Sequence, residues 1–165
     1  MKGQIFLDRF GPTQDPVTSV DPRIDYPIRH ATDHHVLEAR RVRRFAGFLE
    51  QADGSAPRGK GSPLDRAGHL MYASHQSYTM DAMLGCVECD LLVDLVRKHE
   101  PEGLYGARIT GGGSGGTVAI LSNTSDRAAG AIEQIINEYR TQTGLTPQAM
   151  AGTSDGAWLT GTALS

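Results

Sequence analysis

Apolar residues recur at helical spacing in four stretches of the chain, and each stretch predicts an amphipathic helix. The four stretches cover about residues 33–54, 62–78, 87–99 and 125–143. Asp33 is a candidate N-cap of the first helix, and Ser62 followed by Pro63 is typical of a helix start. Gly144 stands where a helix terminator belongs. The third stretch is apolar on most sides, which predicts a central position in the fold.

The hydrophobic period changes to two after the third helix. Tyr105, Ala107 and Ile109 alternate with glycine and polar residues, and residues 117–121 form a second short apolar run. Two further short strands are predicted around Asp155-Gly156, a hairpin signal. Because short loops join antiparallel strands, the sequence predicts an α+β fold, with a small antiparallel sheet covered by helices on one face.

Proline interrupts the N-terminal segment repeatedly, at Pro12, Pro16, Pro22 and Pro27. Proline fixes φ and removes a backbone donor, so it disfavours helix interiors. We therefore predict an extended N-terminal arm over residues 1–32. The folded domain is predicted to occupy residues 33–165.

Composition narrows the class of protein. The 165 residues are 39% hydrophobic, which is enough for one domain with its own core. Acidic side chains number 19 against 16 basic ones, which does not indicate a nucleic-acid partner. The sequence has neither an apolar stretch long enough to span a membrane nor a secretory signal. We expect a cytoplasmic protein with no membrane partner.

Residues 111–116, between the two predicted strands, contain five glycines and one serine. Bare backbone allows positive φ and lets main-chain N–H groups approach an anion closely. The loop has no lysine and no following helix, so it is not a Walker-type loop. Two interpretations remain open: a loop that lines a phosphate or a sugar, and a flexible or tightly packed hairpin connection.

The loop and its flanking strands also resemble a known family. Residues 103–118, Gly-Leu-Tyr-Gly-Ala-Arg-Ile-Thr-Gly-Gly-Gly-Ser-Gly-Gly-Thr-Val, resemble the C-terminal signature of GHMP kinases, in the galactokinase and L-arabinokinase branch. Other segments resemble that branch in the same order along the chain. They are residues 15–18 with 26–29, 41–45, 70–78, 84–85 with 90 and 92–93, and 144–164. The resemblance therefore spans nearly the whole sequence.

The resemblance implies transfer of the γ-phosphoryl group of ATP to a monosaccharide hydroxyl, with Mg²⁺ in the complete enzyme. It implies a C-terminal domain whose glycine loop closes the site. The loop residues near phosphate or substrate would be Gly111, Gly112, Gly113, Ser114, Gly115 and Gly116. Arg108 precedes the loop and is expected to orient it or to meet a phosphate. Ser74 and His75 match a Ser-His pair of the family and are possible substrate-proximal residues.

In this family the N-terminal domain supplies the phosphate-cradling Pro-x-x-x-Gly-Leu-Ser-Ser-type loop and an acidic residue near the acceptor hydroxyl. The sequence contains no such loop. We therefore expect no catalytic residue, no metal ligand and no tight ATP or Mg²⁺ binding in this chain alone. Its expected partners are a sugar substrate and an N-terminal kinase half, or a second copy of itself. The alternative is a non-enzymatic module used for binding or assembly.

Several polar residues allow an ordinary and a functional interpretation. His75 falls on the apolar face of its predicted helix, where a satisfied core histidine competes with a role near substrate. His34 and His35, near Glu38, are expected to be exposed at a helix start rather than to form a metal cluster. The arginines of the first helix form a solvated face or contact a partner domain or an anion. They are Arg40, Arg41, Arg43 and Arg44.

Cys86 and Cys89 are the only cysteines and form a C-x-x-C motif. Such a motif suits a redox pair or half of a zinc site, but no second C-x-x-C accompanies it. Buried, reduced thiols at a helix start are the simpler interpretation. The corresponding stretch of the family usually carries small polar residues and glycine, so the motif is a departure of this chain from the family pattern.

Overall fold

The computed structural model describes residues 1–52 and 61–152. Five helices and two strands follow one another along this part of the chain. They are α1 Gly3–Phe10, α2 Ile28–Gln51, α3 Pro63–Met80, α4 Val87–Lys98, β1 Leu104–Thr110, β2 Thr117–Ser122 and α5 Asp126–Thr143. β1 and β2 pair antiparallel. The predicted α+β class is confirmed, while the strands predicted around Asp155-Gly156 lie outside the described residues.

Local side-chain chemistry fixes several helix boundaries. The hydroxyl of Ser62 accepts a hydrogen bond from the Asp65 backbone N–H, and Pro63 occupies the first helical position of α3. The Ser125 hydroxyl caps α5 in the same way. Gly144 ends α5 with a left-handed φ of 74°. The predicted start at Ser62-Pro63 and the predicted end at Gly144 are therefore confirmed.

The N-terminal segment is not the extended arm that its prolines suggest. Residues Gly3–Phe10 form the helix α1, because the first proline, Pro12, comes only after that helix has ended. α2 begins at Ile28, directly after Pro27 and one turn earlier than expected. Asp33 therefore lies inside α2 and does not cap it. The prediction of extended structure was wrong over both of these stretches.

The hydrophobic core lies between one face of the β1–β2 hairpin and the helices α4 and α5. Leu95, Val96 and Leu104 have no exposed surface, and Val93 and Ile135 are nearly as deeply buried. They pack in one cluster, against which residues of β2 also pack. α4 contributes more of the largest fully buried side chains than any other described element, which confirms its predicted central position.

α3 approaches β1 at backbone distance. A Cβ on Gly68 would lie 1.8 Å from the Tyr105 carbonyl oxygen, and one on Gly106 would lie 2.4 Å from the Gly68 carbonyl oxygen. No side chain fits between the two elements at this point, so glycine is required on both. The close approach places the C-terminal half of α3 beside the end of β1 that leads into the glycine loop.

α2 differs from the other long helices because it buries very little. Of its 24 residues only His34 is buried. Val42, predicted to lie on an apolar face, is 54% exposed, while Phe45 is half-buried. α2 is therefore attached to α3 mainly through its polar side chains. No helix within the two described ranges has the length and apolarity needed to cross a membrane.

Candidate functional site

The glycine loop, defined as residues 111–116, has a backbone that ordinary side chains rarely allow. Gly111, Gly113, Gly115 and Gly116 have φ values from 89° to 128°. Ser114 also has positive φ, at 57°. This region of φ is open to glycine at no steric cost, whereas other L-residues are strained there. The conformation explains four of the five glycines.

Two contacts anchor the glycine loop to the end of α3 and to the segment that joins α3 to α4. The Tyr78 hydroxyl donates to the Gly111 carbonyl oxygen at 3.0 Å. The Ser114 backbone N–H donates to the Leu84 carbonyl oxygen at 2.7 Å. Between them, a Cβ on Gly113 would lie 2.7 Å from the Cβ of Leu84. The loop is therefore held in place on this side and tightly packed at one position.

The rest of the glycine loop faces open space. A Cβ built on Gly111, Gly112, Gly115 or Gly116 would meet no atom within 4 Å. Gly112 also lacks the positive φ of its neighbours. Neither packing nor backbone conformation requires glycine at this position. A bare backbone at Gly112 leaves room for a ligand to approach the main chain, which favours the first of the two interpretations of the loop.

His75 supports the strand that enters the glycine loop. Its Nδ1 accepts a hydrogen bond from the Ile109 backbone N–H at 3.3 Å, and its Nε2 lies 3.1 Å from Oδ1 of Asp90. With Nδ1 as acceptor, the ring proton is on Nε2 and is donated to Asp90. Burial lowers the pKa of His75 below its usual range, although Asp90 opposes that shift. The ring is therefore neutral at physiological pH and fixed in one tautomer.

Arg108 and Ser74 meet at the carboxylate of Glu38. Arg108 Nη1 donates to Glu38 Oε1 at 2.8 Å, the Ser74 hydroxyl donates to the same oxygen, and Arg41 Nη1 donates to Oε2 at 3.1 Å. Burial alone would raise the pKa of Glu38, but the hydrogen bonds from Ser74 and Arg41 and the charge of Arg108 lower it below its ordinary value. We call these four residues the Glu38 cluster. It borders a groove of about 210 Å³ between α2, α3 and the hairpin.

Sequence reasoning missed a second polar network between α2 and α3. His34 was expected to be exposed, but it is 4% exposed, and its Nδ1 lies 3.0 Å from the Ser77 hydroxyl. Ser77 in turn donates to Asp81 at 2.7 Å. The ring of His34 also packs edge-on against Tyr78, which anchors the glycine loop. A signal was present in the sequence, since His34 and Glu38 are one helical turn apart and face Ser77 and Ser74 of α3.

The structure brings most of the predicted site residues to one end of the α3–β1 pair. Arg108 lies three residues before the glycine loop, on the sheet face opposite the core, as its alternation indicates, but its guanidinium is engaged by Glu38. Ser74 and His75 are both buried; Ser74 contacts Glu38, and His75 contacts the Ile109 backbone of β1. Their proximity to a substrate stays a prediction. Within the described ranges, no group of three or more His, Cys, Asp or Glu side chains could hold a metal ion.

Comparison with known proteins gives the family context for this geometry. Residues 60–141 match the family model described as GHMP kinases C terminal. The L-arabinokinase of Arabidopsis thaliana is 35% identical over 164 residues, which cover 95% of this chain and 15% of that protein. The galactokinase of Thermotoga maritima is 32% identical over 124 residues, which cover 74% of this chain and 31% of that protein.

These similarities concern a minor part of each relative. The galactokinase of Streptomyces coelicolor is 34% identical over 94 residues, which are 21% of its length. The chain thus spans less than a third of the curated relatives that it matches here. The matched part contains α3, the glycine loop and nearly all of α5. Through residues 60–141, this chain belongs to the GHMP kinase family as a C-terminal domain of the galactokinase and L-arabinokinase branch.

Proposed function

We propose that this chain is the C-terminal part of an ATP-dependent sugar kinase, which transfers a phosphoryl group to a monosaccharide hydroxyl together with an N-terminal kinase half. The observation that carries the proposal is the glycine loop, which is anchored on one side and open on the other. An anchored loop with accessible backbone can position a phosphorylated ligand without reorganising at each turnover.

The described residues fit the phosphate part of a nucleotide better than they fit its metal. Exposed backbone near Gly112 and positive-φ residues on both sides provide a surface that an anion can approach. No ready-made cluster of carboxylates is found within the described ranges. When bound, ATP supplies the phosphoryl group and Mg²⁺ neutralises its oxygens. In this proposal the chain itself contributes the loop backbone, and the N-terminal half holds the metal.

The surface of α2 supports the proposed N-terminal partner. Val36 and Val42 are more than half exposed on a helix that buries only His34. Leu84, which anchors the glycine loop, is also 38% exposed. Exposed apolar side chains on a helix that buries so little suit contact with another polypeptide. Since the relatives are several times longer than their matched part, the other kinase half is the occupant that we propose for this surface.

The decisive test is a phosphoryl-transfer assay with ATP, Mg²⁺ and a panel that includes arabinose, galactose and glucuronic acid. The chain is assayed alone and together with a polypeptide that carries the N-terminal kinase half. We expect turnover only when both are present. Absence of turnover with every combination would instead support a binding or assembly module. Turnover by the chain alone would show that the nucleotide is bound in a way this proposal does not contain.

Substitution at Gly112 tests the role of the glycine loop in the assembled enzyme. Gly112→Ala adds a methyl group where nothing in the chain obstructs it, so the fold is expected to be unaffected. If a ligand approaches this backbone, kcat/KM should fall roughly 10- to 100-fold, as for a displacement of about 1 Å at a reacting centre. Gly130→Ala in α5 is the matched control, because its Cβ also meets no atom within 4 Å. Equal activity of the two variants would contradict the proposed role of the loop.

A further inference from the structure

The two cysteines lie at the start of α4 in positions whose side chains face each other. Cys86 is the N-cap residue and Cys89 is the third residue of the helix. In a capping box each of these two side chains reaches towards the backbone N–H of the other residue, so both lie on the same side of the helix start. Cys86 makes no side-chain capping hydrogen bond, so its thiol does not serve the helix terminus. Helix geometry thus brings two thiols together without giving the first of them a capping role.

The two thiols have different environments. Cys86 is half-buried, whereas Cys89 is 3% exposed. Burial and the adjacent Cys86 side chain raise the pKa of Cys89 to about 12. A reagent from solution therefore reaches Cys86 first, while Cys89 is protected and its thiol interacts with that of Cys86. This division into an attacking and a resolving thiol is common in reversible C-x-x-C sites.

We propose that Cys86 and Cys89 form a reversible disulfide when the protein meets a small-molecule disulfide oxidant, and that this bond alters the anchoring of the glycine loop. The first part concerns only the two thiols. The second part rests on the proposed function, since it assigns the modification a regulatory role at that site.

Glutathione disulfide is a sufficient oxidant for the reaction. The Cys86 thiolate attacks one sulfur of glutathione disulfide, which forms a mixed disulfide and releases one glutathione thiolate. In the mixed disulfide the Cys86 side chain no longer raises the pKa of Cys89, so burial is the largest remaining obstacle to its ionisation. Cys89 then loses its proton and attacks Cys86 Sγ, which forms the internal disulfide and releases the second glutathione. The two protein thiols lose two electrons, and the glutathione disulfide gains them. Excess reduced glutathione reverses both steps.

The connection between the cysteines and the glycine loop is short and tightly packed. Leu84, two residues before Cys86, accepts the hydrogen bond from the Ser114 N–H. A Cβ on the intervening Gly85 would lie 2.4 Å from the Thr79 hydroxyl oxygen, so this residue has little room to move. If Cys86 moves towards Cys89, the closely packed Gly85 has little room to compensate. We therefore expect Leu84 to move as well. The loop anchor is then weakened by oxidation.

Intact-mass measurement and thiol titration test disulfide formation. Because the chain contains only two cysteines, an internal disulfide can join only Cys86 and Cys89. After incubation with glutathione disulfide we expect both free thiols to disappear and the mass to fall by two hydrogens. Cys89→Ser should retain one bound glutathione, and Cys86→Ser should react far more slowly. A wild-type chain that keeps both thiols, or that accumulates a stable glutathione adduct, would overturn the proposal.

Hydrogen exchange at the Ser114 amide tests the connection to the loop without any kinase assay. We expect exchange of this amide to become roughly tenfold faster in the oxidised chain, as its hydrogen bond to Leu84 weakens. The oxidised Cys89→Ser adduct controls for modification of Cys86 without an internal bond. Unchanged exchange in a fully oxidised chain would overturn the regulatory part. Failure of the kinase assay would leave both of these measurements unaffected and would refute only the proposed function.

Discussion

The two sides of β1 are held by different physical forces. On the side of α4 and α5, the contact consists of fully buried aliphatic residues such as Leu95 and Leu104. On the side of α2, the contact is the Glu38 cluster, in which a half-buried carboxylate joins Arg41, Ser74 and Arg108. Apolar burial depends little on pH, whereas a carboxylate cluster loses its stabilisation when it is protonated.

Because of this difference, one side of β1 determines the stability of the domain and the other determines the position of α2. The apolar side stabilises the domain whatever the ionic conditions are. The polar side sets where α2 lies relative to β1, just before the glycine loop, and it does so through a few directional bonds. Substitutions on the first side should therefore change global unfolding. Substitutions on the second side should have smaller effects that depend on conditions or stay local.

The largest effect is expected from Leu95→Ala in the core. Leu95 has no exposed surface and belongs to the central cluster, so truncation removes buried methyl groups and leaves a cavity. The free energy of unfolding should fall by about 2–5 kcal/mol. Urea denaturation followed by circular dichroism measures this change. The loss should be nearly the same at pH 7 and pH 5.

Val36→Ala on α2 provides the comparison for this core substitution. Val36 is 63% exposed, so its truncation should change the free energy of unfolding by no more than about 0.5 kcal/mol. If Val36→Ala were as destabilising as Leu95→Ala, α2 would have to be buried in solution. That outcome would contradict the distinction between the two sides of β1.

An intermediate and pH-dependent effect is expected from Glu38→Gln. At pH 7 the substitution replaces the charged acceptor of three hydrogen bonds with a neutral amide. It should destabilise the fold by about 1–2 kcal/mol. The pKa of Glu38 in the fold lies below its ordinary value of 4.5. As pH falls, Glu38 is therefore protonated at a higher pH in the unfolded chain than in the folded chain. The contribution of the carboxylate is fully present above pH 4.5 and is lost as pH falls through the lower pKa of the folded state.

Chemical denaturation of wild type and Glu38→Gln at a series of pH values measures this dependence. The difference between the two chains should be constant near neutrality and should shrink below about pH 4.5. Glu50→Gln is the control, because it makes the same change at an exposed position of the same helix. A Glu38→Gln effect that does not change with pH would indicate a loss of packing rather than of the charged cluster.

The sequence predicted the apolar side of the domain better than the polar side. Helical spacing located α3, α4 and α5, and the end signals at Ser62 and Gly144 were confirmed because capping depends on local chemistry. α1 was missed because the prolines from Pro12 onwards were taken to exclude a helix in the whole segment, although α1 ends before the first of them. The exposure of Val42 was also missed, because spacing shows that a helix has an apolar face but not whether another element covers it.

The candidate site was predictable only in outline. Residue type and position marked the glycine loop and Arg108, but the partner of Arg108 is Glu38, 70 residues away in the chain. No local pattern specifies that pairing. Gly112 faces open space, whereas Gly113 packs against Leu84. This difference depends on distant parts of the chain, so it cannot be read from two adjacent glycines in the sequence.

Among the substitutions that remove a contact, the smallest and most local effect is expected from Tyr78→Phe. The change removes the hydroxyl that donates to the Gly111 carbonyl, while the ring can keep its edge-on contact with His34. Since Tyr78 is only half-buried, the free energy of unfolding should fall by less than about 1 kcal/mol. The amides of residues 112–116 should nevertheless exchange faster, and those of α4 should not, when both chains are followed by hydrogen exchange. Exchange that rises equally in α4 and in the loop would mean that the hydroxyl stabilises the whole domain, and the separation of positioning from stability would then fail at the glycine loop itself.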